Sequence, residues 1–174
     1  MSHPIPVRTV RQPPSVERTF YVGIDPGSAS GGASIVDEKG RIIIDQEGFL
    51  RAVRFEKATE HEIAEWFAAT ARLPGRVVAA IEKVRSMPGQ GVASSFKFGW
   101  GYGFLRGLLA GLKIRYEEPR PDEWQAKLRC RTGGDKRVSR AKAQERWPSL
   151  AEQINNAVAD SLLIAEWLRL YGGL

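Results

Sequence analysis

Apolar residues recur along this chain with two periods. Thr19–Asp25, Gly31–Val36 and Arg41–Gln46 are short apolar-rich runs, separated by the turn residues Pro26-Gly27-Ser28 and Asp37-Glu38-Lys39-Gly40. They predict three strands joined by tight turns, hence antiparallel neighbours. From Glu56 to Arg72 the period changes. Ile63, Ala64, Phe67, Ala68 and Ala71 fall at helical spacing, and Pro74-Gly75 ends the run. Arg76–Val84 is almost continuously apolar, as a central strand should be. A long helix is expected over Ala93–Leu112, with glycines at 99, 101, 103, 107 and 111. A fifth strand follows at Lys113–Glu117, then a short helix over Pro121–Leu128 and a basic loop over Arg131–Lys136. Two more helices follow. Ser139–Arg146 is stopped by Trp147-Pro148, and Ile154–Leu170 is the last. The pattern is α/β: a five-stranded mixed sheet, three antiparallel strands then alternating helices and strands, flanked by helices. Residues 1–18 hold Pro4, Pro6, Pro13 and Pro14 with scattered arginines and no period. They predict a disordered basic arm ahead of one folded domain over 19–174.

Three acids stand inside the apolar runs. Asp25 ends the first strand, Glu82 interrupts the fourth, and Asp160 lies in the apolar start of the last helix. Burying a carboxylate is costly unless it is paired or binds a cation. Each also has an ordinary explanation. Asp-Pro-Gly is good turn chemistry, Glu82 could pair with Lys83 or Arg85, and an acid near a helix start is favoured by the dipole. In this strand order the first and fourth strands are neighbours and the last helix crosses them. The three acids could then converge and would need a cation. His3 and His61 are the only histidines and Cys130 the only cysteine, so a cation would be held mainly by carboxylates, which suit Mg²⁺ or Mn²⁺. A second reading joins Asp25 to the glycine-rich run Gly27–Gly32 as a nucleotide-phosphate hairpin, as in actin-like ATPases. That architecture needs a second domain and a second hairpin, for which 174 residues leave no room, so no nucleotide cofactor is expected.

Charge points to a polyanionic partner. The net charge is +6, and Lys127, Arg129, Arg131, Lys136, Arg137, Arg140, Lys142 and Arg146 face only Asp135 and Glu145 across one segment. Such a patch suits phosphate contacts with nucleic acid, and its glycine loop can approach a backbone closely. The single cysteine excludes an internal disulfide and fits a reducing compartment. No apolar run reaches transmembrane length, and no membrane partner or secretory signal is expected.

With these residues in view, the chain resembles the RuvC family of Holliday junction resolvases, especially the phage-type members, within the ribonuclease H-like superfamily. The resemblance rests on six segments in order. They are Gly23-Ile24-Asp25-Pro26-Gly27, Ile81-Glu82-Lys83-Val84, Met87-Pro88-Gly89-Gln90-Gly91, Pro121-Asp122-Glu123-Trp124, Thr132-Gly133-Gly134-Asp135-Lys136, and Ala159-Asp160-Ser161-Leu162-Leu163-Ile164-Ala165. It implies a homodimeric crossover junction endodeoxyribonuclease acting in DNA recombination and repair. Such an enzyme binds a four-way junction and makes paired symmetric nicks with two Mg²⁺ ions, for which Mn²⁺ may substitute. Asp25, Glu82 and Asp160 would be ligands and Lys136 the basic residue near the scissile phosphate. Lys83, Arg85, Lys127, Arg129, Arg131, Arg137, Arg140 and Lys142 would contact DNA. The expected location is the cytoplasm of a bacterial or phage-infected cell, with an organelle as alternative.

Two departures stand out. Where the family places a fourth acid or a histidine, this chain has Ala157 beside Asn156. Asn156 is the remaining, weaker candidate ligand, and a catalytically impaired junction-binding protein is the alternative function. The family's aromatic wedge, three residues after the second acid, is replaced by Arg85. Phe96, Phe98 and Trp100 could serve instead, although ordinary helix packing is expected of at least two of them.

Overall fold

The computed structural model describes residues 18–27, 30–83 and 91–174. Nearly all of the expected N-terminal arm, together with Arg85 and Met87–Gln90, lies outside the described residues.

The sheet has the order β3-β2-β1-β4-β5, built from β1 (Thr19–Asp25), β2 (Gly32–Asp37), β3 (Ala52–Arg54), β4 (Arg76–Ile81) and β5 (Arg115–Glu117). β2 is antiparallel to β1 and to β3, while β4 runs parallel to β1 and β5 to β4. The helices are α1 (Glu60–Ala71), α2 (Val92–Gly111), α3 (Pro121–Lys127), α4 (Lys136–Arg146) and α5 (Asn156–Tyr171). This is a ribonuclease H-like sheet, as the pattern predicts.

Strand alternation divides the core in two. Phe20, Val22 and Ile24 of β1 join Ala79 and Ile81 of β4 against Ile63, Phe67, Leu105 and Leu109 of α1 and α2. Val36, Val78 and Ala80 pack on the opposite face with Leu162, Leu163 and Ile164 of α5. The period of two therefore turns Gly23 and Asp25 toward α5. At Gly23 helix and strand meet directly. A Cβ there would lie 1.9 Å from the Ser161 carbonyl oxygen, so only glycine admits α5 at this depth. Helix α5 is also linked to β2 by hydroxyls, Ser34 Oγ lying 2.5 Å from Ser161 Oγ.

Two elements differ from the sequence reading. The third strand, expected at Arg41–Gln46, is only a pair of isolated bridges there, Val36–Ile42 and Ile44–Leu50. Asp45 accepts hydrogen bonds from the Glu47 and Phe49 amides and turns the chain out. The regular pairing with β2 is made later, by Ala52–Arg54. Helix α4 begins at Lys136, three residues earlier than expected, because the Asp135 side chain accepts from the Arg137 amide and caps it.

Candidate active site

Asp25 and Glu82 are brought together by the parallel pairing of β1 and β4. The register sets Ile24 opposite Ile81, and the Glu82 amide donates to the Ile24 carbonyl at 2.9 Å, extending the ladder by one residue. Glu82 shares the alternation of Val78 and Ala80, the set that packs toward α5. Asp160 lies in the second turn of α5, where the helix crosses β1. Asp25 is 5% exposed and Asp160 8%, so both carboxylates are held largely out of water.

Lys136 joins two of the three. Its Nζ lies 3.1 Å from Asp25 Oδ2 and 3.2 Å from Asp160 Oδ2. The Asp135 cap, which begins α4 one residue before Lys136, is what sets the lysine at the helix entrance. Asp25 Oδ1 accepts from the Gly27 amide at 3.0 Å, so the Pro26-Gly27 turn orients the carboxylate as well as reversing the chain. Glu82 Oε1 accepts instead from the indole Nε1 of buried Trp124 at 3.2 Å. Trp124 was not legible as a site residue. Its signals in the sequence are its place in the Pro121–Trp124 segment of the resemblance and its size in a short helix that otherwise offers little core, and neither assigns it a role at the site.

The electrostatics follow from this crowding. Burial raises the Asp25 carboxyl above its ordinary value; Lys136 pulls it down and Asp160 pushes it up, and the rise prevails. Burial, with Asp25 and Asp160 adding to it, pushes Glu82 up to about 7 against the Trp124 hydrogen bond and Lys136. Burial alone would lower the Lys136 ammonium, but the two aspartates outweigh it and hold it above the usual lysine value.

Among the described residues, no three acidic, histidine or cysteine side chains are gathered tightly enough to form a finished metal cage. The ammonium of Lys136 stands between two carboxylates and the third is turned to Trp124. The donor set nevertheless fits a hard divalent cation. All three side chains offer carboxylate oxygens, and buried Asp160 Oδ1 has no hydrogen-bond partner among the described residues. Asn156 is exposed at the first position of α5, one turn before Asp160 on the same face, and Ala157 is buried.

The basic segment is divided by the fold. Arg131 and Arg140 are exposed and make no ion pair among the described residues. Arg129, also exposed, has a left-handed backbone (φ 55°) at the end of the turn after α3. Lys127 lies over the Tyr171 ring at 5.5 Å. Arg137 is folded back on Asp135 and Lys142 is paired with Glu145. Arg146 does not belong to the patch: with Arg169 it neutralises Glu166, which is buried in α5. Lys83 is exposed beside Glu82, and its amide donates to the Pro119 carbonyl at 2.7 Å.

The packing expectation for the aromatics of α2 is overturned. Phe96 is 70% exposed and Trp100 62%, with ring centroids 6.2 Å apart, and only Phe98 is partly covered. They sit on the first turns of α2, beyond the edge of the apolar cluster over the sheet. No helix among the described residues is long and apolar enough to cross a membrane.

Comparison with solved structures finds a similar fold in RuvC proteins. The chain is similar to Thermus thermophilus RuvC in complex with a Holliday junction substrate, at 14% identity over 88% of this chain and 97% of that one, with a TM-score of 0.50. Against another Thermus thermophilus RuvC structure the identity is 16%, the coverage 84% and 90%, and the TM-score 0.49. No family model matches the sequence, and no curated protein matches it.

Proposed function

We propose that this chain is a structure-selective endonuclease that resolves four-way DNA junctions by paired symmetric nicks. The observation that carries the reading is the meeting of Asp25, Glu82 and Asp160, with Lys136 among them, at one end of a ribonuclease H-like sheet. Support for the substrate comes from the similar Thermus thermophilus RuvC, whose structure holds a Holliday junction.

Asp25, Glu82 and Asp160 would hold divalent cations, Mg²⁺ or Mn²⁺, two per site. Such ions, when bound, supply Lewis-acid polarisation of a phosphodiester and favour ionisation of water. The chain's own residues do the rest. The Gly27 amide fixes Asp25 and the Trp124 indole fixes Glu82, so both carboxylates are oriented before substrate arrives. Lys136 cannot stay between the aspartates beside a divalent ion, because like charges repel. Displaced from them, its ammonium would be close enough to stabilise charge growing on the scissile phosphate. Arg131, Arg140, Arg129 and Lys83 would hold the arms through backbone phosphates, independently of sequence.

Dimerisation belongs to the same proposal, because paired nicks in a symmetric junction need two sites. Gly99, Gly103, Gly107 and Gly111 recur every four residues on α2, and a Cβ built at any of them meets nothing within 4 Å. With Phe96 and Trp100 exposed on the same helix, α2 offers an open face for close helix packing.

The test is Asp25→Asn, read by junction binding and cleavage side by side. Binding should be retained and cleavage abolished. Cleavage by the variant at the parent rate would remove Asp25 from the mechanism. Binding by a parent that never cuts would favour the junction-binding alternative, in which Ala157 marks the lost ligand.

A further inference from the structure

We propose that the cavity at the other end of β1 is a binding site for a phosphate anion. The cavity measures about 520 Å³ and is lined by Arg18, Phe20, Asp37, Arg41, Arg51 and Leu73 among others. Three arginines thus line one hollow with a single acidic residue.

That carboxylate is already committed. Asp37 is 1% exposed and accepts from the Lys39 amide at 3.0 Å, the Arg41 amide at 2.9 Å and Arg41 Nε at 2.7 Å. Arg41 is therefore fixed in place with donors to spare. Arg18 reaches Asp37 only at 3.8 Å and Glu38 at 3.9 Å, distances too long for hydrogen bonds, while its guanidinium lies 4.9 Å from the Phe20 ring centre. Arg51 makes no ion pair among the described residues. Its amide donates to the Ile43 carbonyl at 2.8 Å, which anchors its backbone at the cavity wall. Among the lining residues positive charge therefore exceeds negative, and the surplus is carried by planar forks that match phosphate geometry. Unlike the lysines and arginines of α4, these arginines line one cavity from three segments of the chain.

The cavity is separate from the carboxylate cluster. Thr19 and Asp25 are the two ends of β1, about 20 Å apart at the usual strand rise. The phosphate could belong to the backbone of bound nucleic acid or to a free polyphosphate, and the experiment separates the two.

Isothermal titration of the full chain with sodium tripolyphosphate in EDTA is the first arm, and it does not depend on nuclease activity. The parent should bind, with Arg51→Gln and Arg51→Glu weakening the affinity about tenfold or more and Arg51→Lys less. Arg115→Gln, on β5 away from the cavity, should leave it unchanged. Circular dichroism of each variant confirms that it is folded. The second arm is anisotropy of a short fluorescent duplex. Weaker duplex binding by Arg51→Glu identifies a nucleic-acid phosphate, and unchanged duplex binding with lost tripolyphosphate binding identifies a free polyphosphate. Parent-like binding of both probes by folded Arg51→Glu would overturn the proposal.

Discussion

Removing the Lys136 ammonium leaves Asp25 and Asp160 facing each other with no cation between them. In EDTA, Lys136→Ala should therefore lose stability, by about 1–2 kcal/mol because the lysine is partly exposed and water screens part of the effect. Added Mg²⁺ should recover the loss and stabilise the variant more than it stabilises the parent, read as the urea midpoint with and without metal. A variant equally insensitive to Mg²⁺ and EDTA would count against the carboxylates as cation ligands. Cys130 gives an independent check on the packing beside the site. It is 1% exposed, and burial, with Asp160 adding to it, pushes its thiol up to about 11. A raised thiol stays protonated at pH 8, where thiolate is the reactive form. The folded chain should thus resist a disulfide reagent such as DTNB at pH 8 and react at one thiol after denaturation. Fast reaction of the folded chain would contradict this packing.

Among the elements, the contact of α5 with β1 sets the site geometry, since it delivers Asp160 to Asp25. Gly23→Ala would thrust a methyl group to within 1.9 Å of the Ser161 carbonyl. It should destabilise by about 3 kcal/mol or more, measured by denaturant unfolding, and weaken metal binding with it. What was legible in the sequence follows the same logic. The apolar runs of β1 and β4 marked both as strands, and the order of elements along the chain made them neighbours and so brought Asp25 near Glu82. The last helix was legible because Val158 to Leu168 is apolar almost throughout. The third strand was misplaced because Ile42, Ile43 and Ile44 look like a strand, while the Asp45 turn that breaks it depends on a side-chain hydrogen bond. The start of α4 is hard to see in the sequence because Asp135 closes a glycine-rich loop, and its capping role depends on the side-chain hydrogen bond to the Arg137 amide. Trp124 on Glu82 joins residues far apart in sequence, and no local pattern announces it. The pairing of Arg146 was hidden for the same reason, because its partner Glu166 lies on another helix.

For the whole molecule, the open face of α2 leads to a statement about assembly. Sedimentation at micromolar concentration should show a dimer, and Gly103→Leu, which fills the glycine stripe, should shift it toward monomer without unfolding the chain. A parent that sediments as a monomer, alone and with junction bound, would count against the paired-site proposal. At one end of β1, Asp25 and Asp160 flank Lys136, while Arg131 and Arg140 stand exposed on the loop before α4 and on α4 itself. The most direct measurement is cleavage of a labelled four-way junction beside linear duplex and a Y-shaped flap, in Mg²⁺, in Mn²⁺ and in EDTA. Paired symmetric nicks in the junction alone, lost in EDTA, are the result expected. Equal cutting of all three substrates, or cutting that persists in EDTA, would contradict the account.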